Sequence, residues 1–188
     1  MTNLMNLPEI IPLLKTGHEF FSIQQKKLNF MLCDFWAWNQ SNLIENRTRG
    51  ILAEFIIKQA LNIKNETRTE WDQYDLITEK KIKIEVKSAS YIQGWEQSQY
   101  SKITFGISKK LGENGNYKRW SDYYIFCLLY EKNQERINPL ELNQWKFFVL
   151  KTKVLDKELG NQKTIGLKSL LKLNPIECSY ADLIKIII

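Results

Sequence analysis

A chain of 188 residues that is 44% hydrophobic and 26% charged has enough material for one sizeable core, too little for two, and too much apolar content for disorder. Its three cysteines lack metal-ligand spacing, His18 is the lone histidine, and neither a Walker nor a dinucleotide motif occurs, which excludes zinc clusters, histidine-centred triads and nucleotide-driven chemistry from the expectation. The net charge of +6 favours a polyanionic partner. No stretch approaches the roughly 20 apolar residues of a membrane span. Pro8 and Glu9 stand where a signal peptide would be basic and then apolar, so a cytoplasmic location is expected.

Residues 1–16 read as a peripheral segment with a short helix after Pro8. Glu19 to Trp38 is rich in large apolar residues at helical spacings and predicts one helix, broken near Lys27 to Asn29. Ser41 is a candidate cap for a second helix over Asn42–Leu61, with Glu45 near the capping-box position. Glu54 borders the apolar stripe of that helix, and Gly50 inside it calls for close packing or a nearby ligand. A hairpin follows between Trp71 and Ser90, then an irregular stretch over Tyr91–Tyr100. Strands are expected over Ile103–Ile107, Asp122–Tyr130 and Trp145–Lys151, with a long loop over Ser108–Ser121. A helix or turn near Val154–Leu159 and short elements over Leu167–Leu173 and Tyr180–Ile188 complete the chain. Helices first and a mixed sheet after them predict an α/β or α+β single domain over 1–188.

The chemistry concentrates in the hairpin. Tyr74, Leu76, Ile82, Ile84 and Val86 alternate with Asp75, Ile77, Lys83, Glu85 and Lys87, the period-two pattern of strands with one buried face. A three-residue loop at Glu79–Lys81 sets Asp75 directly across from Glu85, about 5 Å away. Like charges at that distance repel, and a divalent cation between them relieves the conflict. Asp75, Glu85 and the Val86 carbonyl supply hard oxygen ligands of the kind magnesium takes. Lys87 falls on the same face, placed to orient water or to stabilise charge on a phosphate. Asp72 is the competing acid, in the opposite phase of the alternation.

Asp75, nine intervening residues and then Glu85-Val86-Lys87, preceded by a helix carrying Glu54, resembles the PD-(D/E)xK nuclease superfamily of restriction-endonuclease-like fold. The stretches NRTRGILAEFI, WDQYDL, IEVKSASYIQGW and SKITF are similar to an uncharacterised bacterial family within it. The resemblance implies a central mixed β-sheet flanked by helices and magnesium-dependent cleavage of DNA, with manganese able to substitute. It also implies a catalytic set of Asp75, Glu85 and Lys87, with Glu54 as supporting carboxylate. The residue before Asp75 is Tyr74 rather than the proline of the motif. Gln93, shortly after the lysine, Arg49 with Arg47 on the second helix, and the basic loop of Lys109, Lys110, Lys118 and Arg119 with Trp120 are candidates for binding the nucleic acid. RNA stays open beside DNA. Two-strand cleavage calls for two active sites, which leaves a homodimer open. The alternative function is a nuclease fold without turnover that binds nucleic acid or another protein.

Overall fold

A computed structural model describes residues 7–8, 10–64, 67–68, 73–112 and 115–188. In chain order its elements are β1 (Phe20–Ile23), β2 (Lys26–Met31), α1 (Leu32–Gln40), α2 (Asn46–Ala60), β3 (Leu76–Ile77), β4 (Lys83–Ser90), β5 (Thr104–Gly106), β6 (Lys110–Leu111), β7 (Tyr117–Lys118), β8 (Tyr123–Leu129), β9 (Trp145–Lys151), α3 (Thr152–Leu159), β10 (Thr164–Gly166), α4 (Leu167–Lys172), β11 (Ile176–Cys178) and α5 (Leu183–Ile187).

The centre is a mixed five-stranded sheet in the order β11-β9-β8-β4-β3. β4 and β8 run parallel, and the other neighbours are antiparallel. β8 reads YYIFCLL and is buried along almost its whole length, because both of its faces are covered. On one face Ile84, Val86, Ile125, Cys127, Leu129, Phe147 and Val149 meet Ala53, Ile56 and Ile57 of α2 and Leu183 and Ile187 of α5. On the other, Ala89, Tyr124, Phe126, Leu128, Phe148 and Leu150 meet Phe105, Ile107, Ile165, Leu155 and Leu170. The expected mixed sheet with helices packed on it is therefore present, and the strands expected around residues 103–107, 122–130 and 145–151 are β5, β8 and β9.

The N-terminal part departs from the sequence reading. Residues 10–16 contain no helix. The single helix expected over Glu19–Trp38 is instead a β1–β2 hairpin running directly into α1. Its two-residue turn puts Gln24 and Gln25 at φ 46° and 67°, the left-handed pair of a tight hairpin turn. Neither glutamine carries the glycine or asparagine signal of that turn, and the apolar residues of the two strands mimic helical spacing.

α2 begins four residues later than expected. Its cap is Glu45, whose carboxylate accepts from the Arg47 and Thr48 amides at 2.8 and 3.0 Å, and those bonds hold the Glu45 carboxyl below its ordinary pKa. Ser41 donates its hydroxyl back to the Ala37 carbonyl at the end of α1. Gly50 is not closely packed, since a Cβ there meets nothing within 4 Å. Gly50→Ala should accordingly stabilise the chain by about 0.5–1 kcal/mol, read as a small rise in the thermal midpoint.

Candidate active site

The hairpin forms in the expected register. Leu76 pairs with Ile84 and Ile77 with Lys83, which continues to Asp75 opposite Glu85. The loop is the three residues Glu79–Lys81, closed by the Thr78 amide donating to Ile82 and the Lys81 amide to Thr78. Lys81 takes φ 64°, the left-handed last position usual in three-residue hairpin loops.

β3 stops at Leu76, and the Asp75 side chain continues the ladder in place of backbone. Its Oδ2 accepts the Val86 amide at 2.7 Å. The Ile84 carbonyl accepts the Asp75 amide on that same edge of β4, so the Val86 carbonyl, in phase with Ile84, faces the gap left by β3. Glu85 and Lys87 point to the other side from Ile84 and Val86. Lys87 Nζ lies 2.5 Å from Glu85 Oε1 and 3.9 Å from Asp75 Oδ2. Asp75, Glu85 and Lys87 are thus brought to one place.

The electrostatics follow from burial. Glu85 is 2% exposed. Burial first, and the neighbouring Glu85 charge second, push the Asp75 carboxyl up to about 6, against the pull of Lys87 and the Val86 amide. For Lys87, burial disfavours the charge, yet Glu85 and Asp75 outweigh it and leave the ammonium above its ordinary pKa. Lys87 is therefore a cation at neutral pH, suited to holding an anion rather than to accepting a proton.

Glu54 is near but not in contact. α2 packs on the face of β4 opposite Glu85 and Lys87, and the Glu54 carboxylate is gripped by Arg68, Nε at 2.5 Å and an Nη at 3.1 Å. From there it still biases Asp75 and Lys87 through space. Asp72 lies outside the described residues.

The basic candidates divide by burial. Arg49 is inside the protein, donating to the Ile44 carbonyl, to Asn46 Oδ1 and to Gln93 Oε1. Gln93 is buried as well, and its amide nitrogen donates to the Ser90 carbonyl at 2.8 Å. The pair ties the start of α2 to the end of β4. The Arg119 side chain is 0% exposed and donates to the carbonyls of Ile107, Gly160 and Gln162 and to Asp156. These bonds leave it no face for a phosphate, which corrects the surface role expected of it. Arg119→Ala should destabilise the fold by roughly 2–3 kcal/mol, because the buried Ile107 carbonyl and three more exposed acceptors, Asp156 among them, lose their donor, and thermal unfolding reads that loss directly. Lys118 is exposed, its Nζ 4.0 Å above the Trp120 ring, and Arg47 is exposed at the start of α2.

One lysine of the basic stretch expected to hold the nucleic-acid backbone lies instead in the site. Lys110 of β6 reaches Glu85 with Nζ 2.9 Å from Oε1 and 3.0 Å from Oε2. Nothing in its local spacing marks it, because the contact depends on where the β6–β7 hairpin lands.

Among the described residues no cluster of three or more His, Cys, Asp or Glu is arranged around a metal position. Among the described residues two carboxylates converge here, Asp75 and Glu85. That set fits a hard cation which keeps several waters and uses one or two protein carboxylates.

Residues 24–169 match the family described as bacteriophage T4 endonuclease IV. The chain belongs to that family. The match spans β2 through the first half of α4 and encloses Glu54, Asp75, Glu85, Lys87 and Lys110. The expectation of a nuclease family therefore stands in its coarse form. No curated protein matches the chain. No helix among the described residues is long and apolar enough to cross a membrane.

Proposed function

We propose that this chain is a magnesium-dependent nuclease of PD-(D/E)xK type that hydrolyses DNA phosphodiester bonds at the Asp75–Glu85–Lys87 site. The observation that carries the reading is the convergence of the buried Glu85 and half-buried Asp75 carboxylates on one lysine, Nζ 2.5 Å from Glu85 and 3.9 Å from Asp75, in a chain of a nuclease family. Holding the Asp75 carboxyl raised to about 6 costs stability at neutral pH.

In this reading Asp75, Glu85 and the Val86 carbonyl hold magnesium, with manganese able to replace it. When bound, the ion supplies Lewis acidity to the phosphate and to water. The chain's own residues do the rest. Asp75, fixed by the Val86 amide, sets the position of the carboxylate pair. Lys87, held as a cation by Glu85, faces the phosphate and favours the charge that grows on its oxygens. Glu54 adds a small pull in the same direction from a distance, and Lys118 beside Trp120 binds the DNA backbone. The family's endonuclease name supports DNA as substrate and internal cleavage.

Incubation of circular DNA with the protein and magnesium should open the circle, and chelation of divalent ions should stop it. Cleavage that persists in excess chelator contradicts the magnesium requirement. Cleavage unchanged by Lys87→Ala contradicts the site.

A further inference from the structure

Glu85 is the best-neutralised acid of the site, and its two cations are not equivalent. Lys87 lies two residues along the same strand, sits on Oε1, and its backbone is paired with β8 opposite Phe126. Lys110 spans both oxygens, 2.9 Å from Oε1 and 3.0 Å from Oε2, and comes from β6, which pairs only with β7 in a small separate hairpin. Its side chain is 36% exposed against 28% for Lys87, so it is the better-exposed cation of the two. The hairpin is seated at its base by Trp120, whose ring nitrogen donates to the Lys110 carbonyl at 3.0 Å. Gly112 lies so close to that ring that a Cβ would fall 1.9 Å from it. Lys110 is therefore delivered to Glu85 by a defined contact, not by a loose chain.

A divalent ion held by Glu85 must take at least one of its oxygens. Oε1 already carries both Lys87 and Lys110, and Oε2 carries Lys110. We infer that Lys110 is a built-in competitor for the metal position: it neutralises Glu85 in the metal-free protein and leaves when the ion enters, freeing its ammonium for the DNA phosphate. This rests on the metal reading above and names what regulates that site. The displaced lysine would couple the two ligands, since DNA that accepts Lys110 lowers the cost of its departure and metal that evicts it strengthens the hold on DNA. Such coupling is reciprocal by necessity. Lys110 acts here as a positioning residue.

The test is manganese affinity of the full chain without DNA, followed through the resonance of free manganese, for wild type, Lys110→Gln and Lys110→Arg. Removing a charge-assisted competitor should tighten binding about five- to tenfold in Lys110→Gln. Lys110→Arg keeps the charge and should bind no tighter than wild type. Unchanged or weaker binding in Lys110→Gln, with wild type binding normally, overturns the competitor role and leaves the metal reading intact. If no variant binds manganese, the metal reading itself fails and the competitor role falls with it.

Discussion

Asp75→Asn should abolish most cleavage and at the same time make the metal-free protein more stable. The amide oxygen of asparagine can still accept the Val86 N–H that Asp75 Oδ2 accepts at 2.7 Å, so the end of β3 stays in place. What disappears is one of two carboxylates for the ion, and activity should fall at least about a hundredfold. Stability moves the other way. The Asp75 carboxyl is raised from its ordinary 3.8 to about 6 by burial and by Glu85, so the folded state holds a proton that the unfolded chain has released between those values. Folding stability therefore decreases as pH rises from about 4 to 6, by an amount on the order of 2–3 kcal/mol. Asparagine removes that penalty. Thermal melts at pH 7.5 without metal should place the variant several degrees above wild type, and the gap should close near pH 4. A variant that loses both activity and stability would mean that Asp75 is a structural group.

Lys87→Ala should be the second severe loss. The ammonium is held charged by Glu85 and Asp75 against the opposition of burial, and that placement gives it one chemical use, the stabilisation of negative charge on the phosphate. Cleavage should drop by roughly 100- to 1,000-fold at saturating magnesium. Lys87→Arg should restore little, because a planar fork does not occupy the place of a compact ammonium between two carboxylates. Glu85, 2% exposed, keeps Lys110 as its remaining cation, so the stability cost should stay near 1–3 kcal/mol rather than unfold the chain. The folded-state pKa of Lys87 lies above the unfolded one, so its stabilising contribution is complete at neutral pH and lost only on strongly alkaline titration. Rates for both variants, measured with magnesium varied, separate lost metal binding in Asp75→Asn from lost turnover in Lys87→Ala.

The central hairpin was legible because three independent features agreed. Its alternation marks one buried face, Glu79–Lys81 is short enough to fix the register, and the acids at 75 and 85 fall in phase. The observed pairing of Leu76 with Ile84 is the one that spacing dictates. β8 and β9 were legible for a simpler reason: continuous apolar runs have few other places to go. The N-terminal hairpin was hidden because a turn of Gln24 and Gln25 relies on backbone strain that no residue type advertises. Burial of charge was equally invisible. Arg49, Gln93 and Arg119 look like surface groups in sequence, yet each is drawn inside by carbonyls and amides from distant segments. The same blindness concealed Arg68 on Glu54 and Lys110 on Glu85, which are contacts between segments joined only by the fold.

The proposed cleavage requires an ion between Asp75 and Glu85. Anomalous scattering from crystals of the protein soaked in manganese tests that most directly. The expected result is a single strong peak within ligand distance of the Asp75 and Glu85 carboxylates, with Lys110 displaced from Glu85. Cleavage-competent crystals whose manganese lies elsewhere, with Lys110 still on both Glu85 oxygens, would contradict it.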